Sequence, residues 1–419
     1  MLKRTVRSLL ILVAAAPVAM AQDWLQWGGP ERNFTSTVTG LASSWPSGGP
    51  RELWNRPLGE GYSAIIAEGN RLYTMYRERA GLLQFGAEDS EVVIALDARN
   101  GNTIWEHRYE APDLRRMDLT YGPGPHSTPL IVGNRLFTVG AMGHFFALDK
   151  NTGEVLWSRN LYEEFGALWE RGYSASPIAW GSQVILPTGT RGQSVIAFDQ
   201  ATGDVAWKRH DFEYAPASPI LIDVGGQEQL VLFMAQGPVG LDPSNGDLLW
   251  QHRHRTDYGL NISTPVWSSR DNILFLSSAY GGGSRALRIT RNGGETAVEE
   301  LWASSRMRIH FGTAVRIGDF VYGSSGDFGP AFLVAMNILT GRIAWQERTF
   351  ARSSLIHADG KLIILDEDGT LGLATASPEG LRVLAEADVL RNNSWTAPTL
   401  AGRRLYLRDR RTIKALALE

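Results

Sequence analysis

Short apolar runs separated by turn residues fill this chain, and one arrangement of them returns five times. A small residue and an apolar one lead into Asp or Asn, a Gly follows four residues later, and a short alternating run then ends on Trp. Asp or Asn suits the first position of a tight turn, and Gly supplies the positive φ that closes it. The copies begin at Ala95, Ala147, Ala197, Gly240 and Ala335. The pattern predicts a β-hairpin.

A second pattern precedes each hairpin: a small or hydroxyl pair, usually with Pro, then an apolar strand, a Gly turn and another apolar strand. Its eight copies are Ser63-Ala64, Thr128-Pro129, Ser176-Pro177, Ser218-Pro219, Thr264-Pro265, Gly312-Thr313, Ser353-Ser354 and Ala397-Pro398. Two hairpins per period make four antiparallel strands, which form one blade of a β-propeller. The repeats predict an all-β, eight-bladed propeller over residues 51–419.

Tryptophan marks seven of the repeats, and we assign these side chains a structural role. They are Trp54, Trp105, Trp157, Trp207, Trp250, Trp302 and Trp345. One repeat, near Leu381 to Leu384, has lost its Trp. The last copy, Ala415-Leu416-Ala417, has no hairpin partner, whereas Leu53-Trp54 has no preceding strand of this kind. We therefore expect the N-terminal strand to complete the last blade, which closes the ring and removes its free edge.

The repeated pattern resembles the tryptophan-docking motif of eight-bladed propellers built from repeats like those of pyrroloquinoline-quinone (PQQ) proteins. Quinoprotein alcohol dehydrogenases and the BamB outer-membrane assembly lipoprotein share that fold. The resemblance covers residues 51–419 and implies that each Trp packs between the Ala of its own motif and the Gly turn of a neighbouring blade. It is specific for the fold and not for an activity. Three segments also resemble secreted bacterial PQQ-like repeat proteins of mostly unassigned function: Trp24–Pro30, Arg306–Phe311 and Trp395–Pro398.

The first fifty residues precede the repeats. Lys3, Arg4 and Arg7 come before an apolar run that ends in Ala19-Met20-Ala21, which is typical of a secretory signal peptide over residues 1–21. This run is too short to span a bilayer. We expect export to the periplasm or beyond, with cleavage near Ala21. Residues 22–50 are rich in Trp, Gly and Pro, and they predict an irregular strap whose aromatic side chains cover the side or an end of the propeller.

Composition narrows the possible functions. The 419 residues include no Cys, which excludes disulfides, Cys-ligated metals, a thiol nucleophile and a lipid-modified N-terminal Cys. The vicinal Cys pair of many quinoprotein dehydrogenases is missing as well. The formal net charge is −3, so nucleic acid is not an expected partner. We expect a monomer without a membrane span or lipid anchor.

The second pattern also locates a candidate site, because equivalent strand starts meet at one end of a propeller. In each copy the residue just before the small or hydroxyl pair, for example before Ser127-Thr128, is Tyr62, His126, Ser174, Pro216, Ile262, Phe311, Arg352 or Trp395, and one position further back stand Tyr173, Asn261 and His310. From this ring and the nearby Arg308 we predict ligand-binding residues at the channel mouth. They are Tyr62, His126, Tyr173, Asn261, Arg308, His310, Arg352 and Trp395.

These residue types suit a planar anionic or polar ligand such as a quinone. Trp395 could stack on a flat ring, and Arg308 and Arg352 could pair with carboxylates. Asp257 and Asn261 could offer oxygen atoms to a divalent ion. The cofactor-binding motifs of the dehydrogenases do not occur intact. The alternative, that these residues satisfy one another around a wet channel, therefore stays open.

Two functions remain. The first is an exported binding or interaction scaffold for a protein, a glycan or a small molecule. It rests on a complete repeat scaffold without a complete catalytic constellation. The second is an oxidoreductase for an alcohol or sugar that depends on PQQ and calcium, with Asp257 or Asp327 as general base. No cofactor is assigned, and PQQ and calcium are the candidates.

Overall fold

The computed structural model describes residues 23–79, 89–113, 117–167 and 169–419. They form eight sheets, and each contains four antiparallel strands taken from one repeat or, in one case, from both ends of the repeat array; one sheet gains a fifth, parallel strand from residues 35–36. The predicted all-β, eight-bladed propeller is confirmed. The predicted signal peptide lies outside the described residues.

Two strands precede the first complete repeat, β1 (Thr35–Ser36) and β2 (Arg51–Pro57). Blade 1 consists of β3 (Ile66–Glu68), β4 (Arg71–Glu78), β5 (Ser90–Asp97) and β6 (Thr103–Glu110). Blade 2 consists of β7 (Leu130–Val132), β8 (Arg135–Val139), β9 (His144–Asp149) and β10 (Val155–Asn160). A short helix, α1 (Leu161–Phe165), follows it. Blade 3 consists of β11 (Ile178–Trp180), β12 (Gln183–Thr190), β13 (Gln193–Asp199) and β14 (Val205–Arg209).

Blade 4 consists of β15 (Ile220–Val224), β16 (Gln227–Met234), β17 (Gly237–Leu241) and β18 (Leu248–Gln251). Blade 5 consists of β19 (Val266–Ser268), β20 (Ile273–Ser278), β21 (Gly283–Asn292) and β22 (Glu295–Ser304). Blade 6 consists of β23 (Ile309–Ile317), β24 (Phe320–Ser325), β25 (Phe332–Asn337) and β26 (Ile343–Glu347). Blade 7 consists of β27 (Ser354–Ala358), β28 (Lys361–Leu365), β29 (Thr370–Ser377) and β30 (Gly380–Asp388). Blade 8 consists of β31 (Thr399–Ala401), β32 (Arg404–Arg408), β33 (Thr412–Ala417) and β2.

The ring closes as predicted. Strand β2 pairs antiparallel with β33, with Trp54 opposite Ala415 and Pro57 opposite Thr412. The N-terminal strand is therefore the outermost strand of blade 8, and the last blade has no unpaired C-terminal strand at that position.

The docking tryptophans join neighbouring blades. Trp105 lies opposite Ala95 of its own blade and donates its indole N–H to the carbonyl of Lys150 in the next blade, at 3.0 Å. A Cβ on Gly153 would lie 2.5 Å from the Trp105 ring, so only Gly allows this approach. Five other indoles bind a carbonyl of the following blade in the same way: Trp54 to Ala98, Trp157 to Gln200, Trp207 to Pro243, Trp302 to Ile338 and Trp345 to Ser377. This arrangement agrees with the one implied by the resemblance.

Trp250 is the exception among the seven: its indole binds a side chain of its own blade, and the next blade has no Asp-Gly turn. Blade 5 turns instead through the long β21–β22 hairpin. The Trp250 indole donates to Gln229 Oε1 of its own blade at 2.7 Å, and Gln229 Nε2 donates to Thr296 Oγ1 of blade 5 at 2.9 Å. Gln229 thus bridges the two blades.

Blade 7 has lost its Trp for a related reason. At the two positions that Ala and Trp occupy elsewhere, Leu373 lies opposite Ala385. The following blade 8 has no β-turn to receive an indole there, because its outer strand is β2. Gly49, which leads into β2, approaches so closely that a Cβ would lie 2.7 Å from that of Ala387. In blade 7 the large side chain, Leu373, therefore stands at the position of the motif Ala, and the small one, Ala385, stands at the position of the Trp.

Residues 24–36 of the N-terminal strap lie elsewhere than predicted. We expected its aromatic side chains on the side or an end of the propeller. Instead, Trp24 exchanges backbone hydrogen bonds with Ala67 in β3, and the Leu25 carbonyl accepts from Ile131 in β7. The Phe34 carbonyl accepts from His357 in β27, after which β1 pairs in parallel with that strand. All three partners lie in first strands of blades, which surround the channel.

Residues 24–36, which we call the plug, therefore occupy the centre of the ring. Two plug side chains reach three further blades. Trp27 donates to Thr264 Oγ1 just before β19, and Arg32 donates to the carbonyls of Pro177 and Pro219 just before β11 and β15. The first strands of the blades offer backbone groups that have no partner strand on the channel side. A segment with its own donors and acceptors can satisfy them, whereas a surface strap could not.

Candidate functional site

A cavity of about 170 Å³ lies where the starts of the first strands converge, and we call it the mouth cavity. Its lining residues come from loops before the first strands and from the plug: Trp27, Tyr62, Tyr121, His126, Arg171, Ser174, Ser176, Pro216, Ser218, Leu260, Ile262, Tyr280, His310, Phe311, Trp395 and Ala397. Trp27 is the contribution of the plug. Because the plug fills the channel, the cavity is a pocket and not the entrance to an open pore.

Aromatic rings form much of the wall. The Trp395 ring stacks on Tyr62 with a centroid distance of 5.3 Å, and contacts Phe311 at 5.0 Å and Tyr121 at 6.0 Å. Tyr62 in turn stacks on His126 at 5.7 Å with an interplanar angle of 10°. Such a cluster offers flat apolar faces to a ring-shaped ligand.

The two histidines of the cavity are neutral at neutral pH. Burial, together with the charge of Arg410, lowers the pKa of His126 to about 4. Burial, together with the charge of Arg352, lowers the pKa of His310 to about 4. His310 Nε2 lies 2.6 Å from the Tyr280 hydroxyl, which lies 3.1 Å from that of Tyr121. Neutral imidazoles and phenols make the wall polar without adding charge.

Charged side chains at the rim are paired with one another. Arg352 Nη1 donates to Glu367 Oε1 at 2.6 Å, and the Trp395 indole donates to the other oxygen of Glu367 at 3.1 Å. Arg308 lies 3.4 Å from the carboxylate of Asp327. Both predicted arginines therefore have a carboxylate partner, and Glu367 holds the Trp395 ring in place.

The structure brings four of the eight predicted ligand-binding residues to the cavity wall. Tyr62, His126, His310 and Trp395 line it, whereas Arg308 and Arg352 form the ion pairs at the rim. Tyr173 and Asn261 lie behind the wall and are fully buried. Both stand one position further back in the alignment, as does His310, which nevertheless lines the cavity, so the aligned position alone does not decide which side chain reaches the wall.

The residues do not fit PQQ with calcium. Asn261 donates to the Met234 carbonyl and accepts from Ser278, so its amide is already engaged. The carboxylate of Asp257 is packed against Gly281, and no His, Asp or Glu group of metal-binding size occurs in the described part of the chain. Calcium takes six to eight oxygen ligands, and PQQ carries three fused rings, whereas a cavity of this volume accepts about one ring. The proposed base Asp327 is ion-paired.

Sequence reasoning missed several parts of the cavity. Tyr121 and Arg171 come from loops before β7 and β11, Tyr280 follows β20, and Trp27 belongs to the plug. None of them stands at an aligned strand start, so the repeats contain no signal for them. Glu367, which binds Arg352 and Trp395, was missed for the same reason.

Hydroxyl groups of the second repeat pattern link the blades beneath the aromatic wall. Thr128 Oγ1 accepts from the Ala64 N–H, Ser176 Oγ accepts from the Thr128 N–H at 3.1 Å, and Ser218 Oγ accepts from the Ser176 N–H at 2.9 Å. Each hydroxyl that accepts in this way keeps its own proton for donation. Ser176 and Ser218 line the cavity, so a ligand can receive hydrogen bonds from them.

The fold and this cavity define an eight-bladed propeller of PQQ-type repeats. A family model described as the outer membrane protein assembly factor BamB matches residues 88–347, which is more than half of the chain. The chain belongs to that family. The BamB of Yersinia pestis is 23% identical over 310 residues, covering 68% of this chain and 72% of the relative.

The chain is also similar to a dehydrogenase in sequence and to two solved structures in fold. A polyvinylalcohol dehydrogenase of Sphingopyxis sp. is 29% identical over 160 residues, covering 34% of this chain and 23% of the relative. The crystal structure of BamB from Moraxella catarrhalis superimposes with a TM-score of 0.60 at 19% identity, covering 88% of this chain and 98% of that one. The crystal structure of the quinohemoprotein alcohol dehydrogenase of Comamonas testosteroni superimposes with a TM-score of 0.55 at 13% identity, covering 95% of this chain and 80% of that one. At these identities the structural similarity establishes the shared fold alone.

The described residues contain no helix with the length and apolar character needed to cross a bilayer.

Proposed function

We propose that this chain is an exported binding protein that holds a small organic ligand in the mouth cavity without transforming it. The observation that carries the proposal is the cavity wall, where Tyr62, Phe311 and Trp395 present aromatic faces beside neutral His126 and His310. A concave, mainly apolar pocket with a few polar groups is the usual form of a small-molecule site. Export rests on the basic and apolar pattern of residues 1–21.

The charged groups around the cavity support binding over catalysis. A general base needs a free acceptor within reach of the substrate. Asp327 is paired with Arg308, and Glu367 is bound by both Arg352 and Trp395. These carboxylates therefore serve to position the wall of the cavity in this proposal.

A binding experiment with a neutral aromatic probe tests the proposal. Benzyl alcohol should bind the wild-type protein and perturb ligand-observed NMR signals. Trp395→Ala should lose this binding, because it removes the ring that contacts three other wall residues. Trp180→Ala is the matched control, since Trp180 binds Glu228 on the surface and does not line the cavity. Equal binding of benzyl alcohol to both variants would reject the proposal, and so would a wild-type protein that binds neither benzyl alcohol nor its charged analogues benzoate and benzylammonium.

Calorimetry with PQQ and calcium tests the alternative function. The occupied amide of Asn261 and the single-ring volume predict no heat of binding. Binding heat that requires both PQQ and calcium, together with dye-linked oxidation of an alcohol, would replace the binding proposal with the oxidoreductase.

A second candidate function is docking of a protein partner at the rim of the cavity. Tyr258 and Phe328 are 61% and 74% exposed, and both contact the wall residue Tyr280. Exposed aromatic side chains of this kind are enriched at protein interfaces, and the named relatives are assembly factors. A photo-crosslinking amino acid at position 328 should give one discrete adduct in cells. The same probe at Leu156, which is exposed on β10, should give none.

A further inference from the structure

We propose that the ligand of the mouth cavity is a small aromatic carboxylate. Its ring would lie against Trp395, and its anionic group would lie at Ser176 and Ser218 above the buried Arg32. This inference rests on the proposed binding function and adds the charge and the size of the ligand.

Arg32 is an unusual cation. Its side chain is 6% exposed, and its guanidinium donates to Gln26 Oε1 at 2.9 Å, to the Pro177 carbonyl at 2.6 Å and to the Pro219 carbonyl at 3.1 Å. No carboxylate of the described residues is within ion-pairing distance of it. Burial lowers the pKa of Arg32 to about 9, which leaves it charged at neutral pH. Neutral carbonyl groups satisfy its N–H groups without neutralising its charge.

The fully buried Arg408 provides a contrast. It also binds backbone carbonyls, among them those of Ser63 and Met75. The charge of neighbouring Asp409, however, partly opposes the effect of burial on the pKa of Arg408. Arg171, which lines the mouth cavity, is likewise paired with Asp118 at 2.8 Å. Arg32 is thus the cation near the cavity for which the described residues supply no counter-charge.

The position of Arg32 links it to the cavity. Its two carbonyl partners belong to Pro177 and Pro219, the residues that directly follow Ser176 and Ser218. Those two serines line the cavity and have hydroxyl protons to donate. An anion at the serines would therefore receive hydrogen bonds and lie close to a buried, uncompensated positive charge, whose attraction is stronger than that of a charge exposed to solvent.

The volume limits the ligand to one ring. A protein cavity of about 150 Å³ lined by apolar side chains accepts benzene, and the mouth cavity measures about 170 Å³. The aromatic wall and the serines lie in the same cavity, so one ring with an attached carboxylate can reach both. A multi-ring acid would not fit within this volume.

Three probes that differ in charge test the inference in the full-length protein. Benzoate, benzyl alcohol and benzylammonium have the same ring and a negative, neutral or positive group. Wild-type protein should bind benzoate at least tenfold more tightly than benzyl alcohol, which corresponds to about 1.4 kcal/mol. Benzylammonium should bind more weakly than benzyl alcohol, because Arg32 repels it.

Substitutions assign the preference to Arg32. Arg32→Gln should make benzoate and benzyl alcohol bind equally, and Arg32→Lys should keep a preference for benzoate because the charge remains. Arg56→Gln, a change in β2 far from the cavity, is the matched control and should bind benzoate like the wild type. If Arg32→Gln does not fold, Ser218→Ala takes its place: it removes a hydroxyl donor at the proposed carboxylate position and should weaken the binding of benzoate more than that of benzyl alcohol, and an equal weakening would overturn the inference.

The outcomes separate the two proposals. Equal binding of benzoate and benzyl alcohol to the wild type would overturn the carboxylate inference and leave the cavity as a site for neutral rings. A preference for benzoate that persists in folded Arg32→Gln would also overturn it, because another group would then supply the charge. Failure of all three probes to bind would reject the binding function itself.

Discussion

Tryptophan serves two purposes in this molecule, and the difference shows which residues carry function. At the circumference, Trp105 and its counterparts repeat in every blade but one, and all except Trp250 bind a carbonyl of the next blade. At the channel mouth, Trp395 has no counterpart in the other blades and binds the carboxylate of Glu367. Repetition identifies the residues that build the ring, whereas departure from the repeat identifies those that shape the cavity.

The largest expected effect separates the two kinds of tryptophan. Trp105→Ala should lower the free energy of unfolding by about 3–5 kcal/mol, as is usual for a large aromatic residue in a well-packed position. Its thermal midpoint, measured by circular dichroism, should fall markedly, while benzyl alcohol still binds below that midpoint. Trp395→Ala should show the reverse: it should lose the binding of benzyl alcohol, while its thermal midpoint falls less than that of Trp105→Ala. Equal loss of stability in the two variants would remove the distinction.

Substitutions in blade 7 test whether a docking Trp needs both a small residue opposite it and a turn in the following blade. Ala385→Trp should destabilise the protein by roughly 1–3 kcal/mol, since Leu373 occupies the space opposite and overpacking forces side chains from their rotamers. Adding Leu373→Ala should restore part of the loss. Full recovery, measured as the thermal midpoint, would mean that the missing turn in blade 8 has no role.

Gly153 gives a smaller effect that is coupled to Trp105. Gly153→Ala places a Cβ against the indole at a backbone φ of +77°, and we expect a loss of about 1–3 kcal/mol. In a Trp105→Ala background only the backbone strain remains, so the additional loss should be smaller. A double-mutant cycle measures this difference. Strict additivity would show that the close approach to the ring costs nothing.

The smallest effect concerns pH at the mouth. The pKa of His126 is lowered to about 4 in the folded protein, whereas an unfolded chain has an ordinary histidine pKa near 6.5. On acidification the unfolded state takes up a proton first, so this contribution to stability is present above about pH 6.5 and falls as pH drops toward 4. His126→Gln should show a shallower fall of the urea midpoint across that window than the wild type. Parallel curves would contradict the prediction.

The sequence predicted the fold to the level of blades and closure. The Asp-to-Gly-to-Trp spacing is a local signal that recurs, so the hairpins, the missing Trp of blade 7 and the pairing of β2 with β33 could all be expected. The plug could not. Trp24, Trp27 and Arg32 contact four different blades through only one or two hydrogen bonds each, and such contacts produce no periodicity.

The site was predictable in position but not in composition. Aligned strand starts led to Tyr62, His126 and Trp395, because equivalent positions in a ring converge. Tyr121 and Tyr280 come from loops outside the aligned strand starts. The engagement of Asn261 by Met234 and Ser278 depends on side-chain directions that a single sequence does not reveal.

The pairing of β2 with β33 also has a consequence for how the chain folds. Strand β2, the first blade strand in the chain, finds its hydrogen-bonding partner in Thr412–Ala417, the last strand of the repeat array. Blades 1 to 7 can form from neighbouring segments as each emerges, but blade 8 must wait for a contact between the two ends of the repeat array. Such contacts form slowly, since the entropy of closing a long loop has to be overcome first. Until then both edges of the incomplete ring are exposed, and this is the interval in which the chain is most open to proteases and to pairing with another copy of itself.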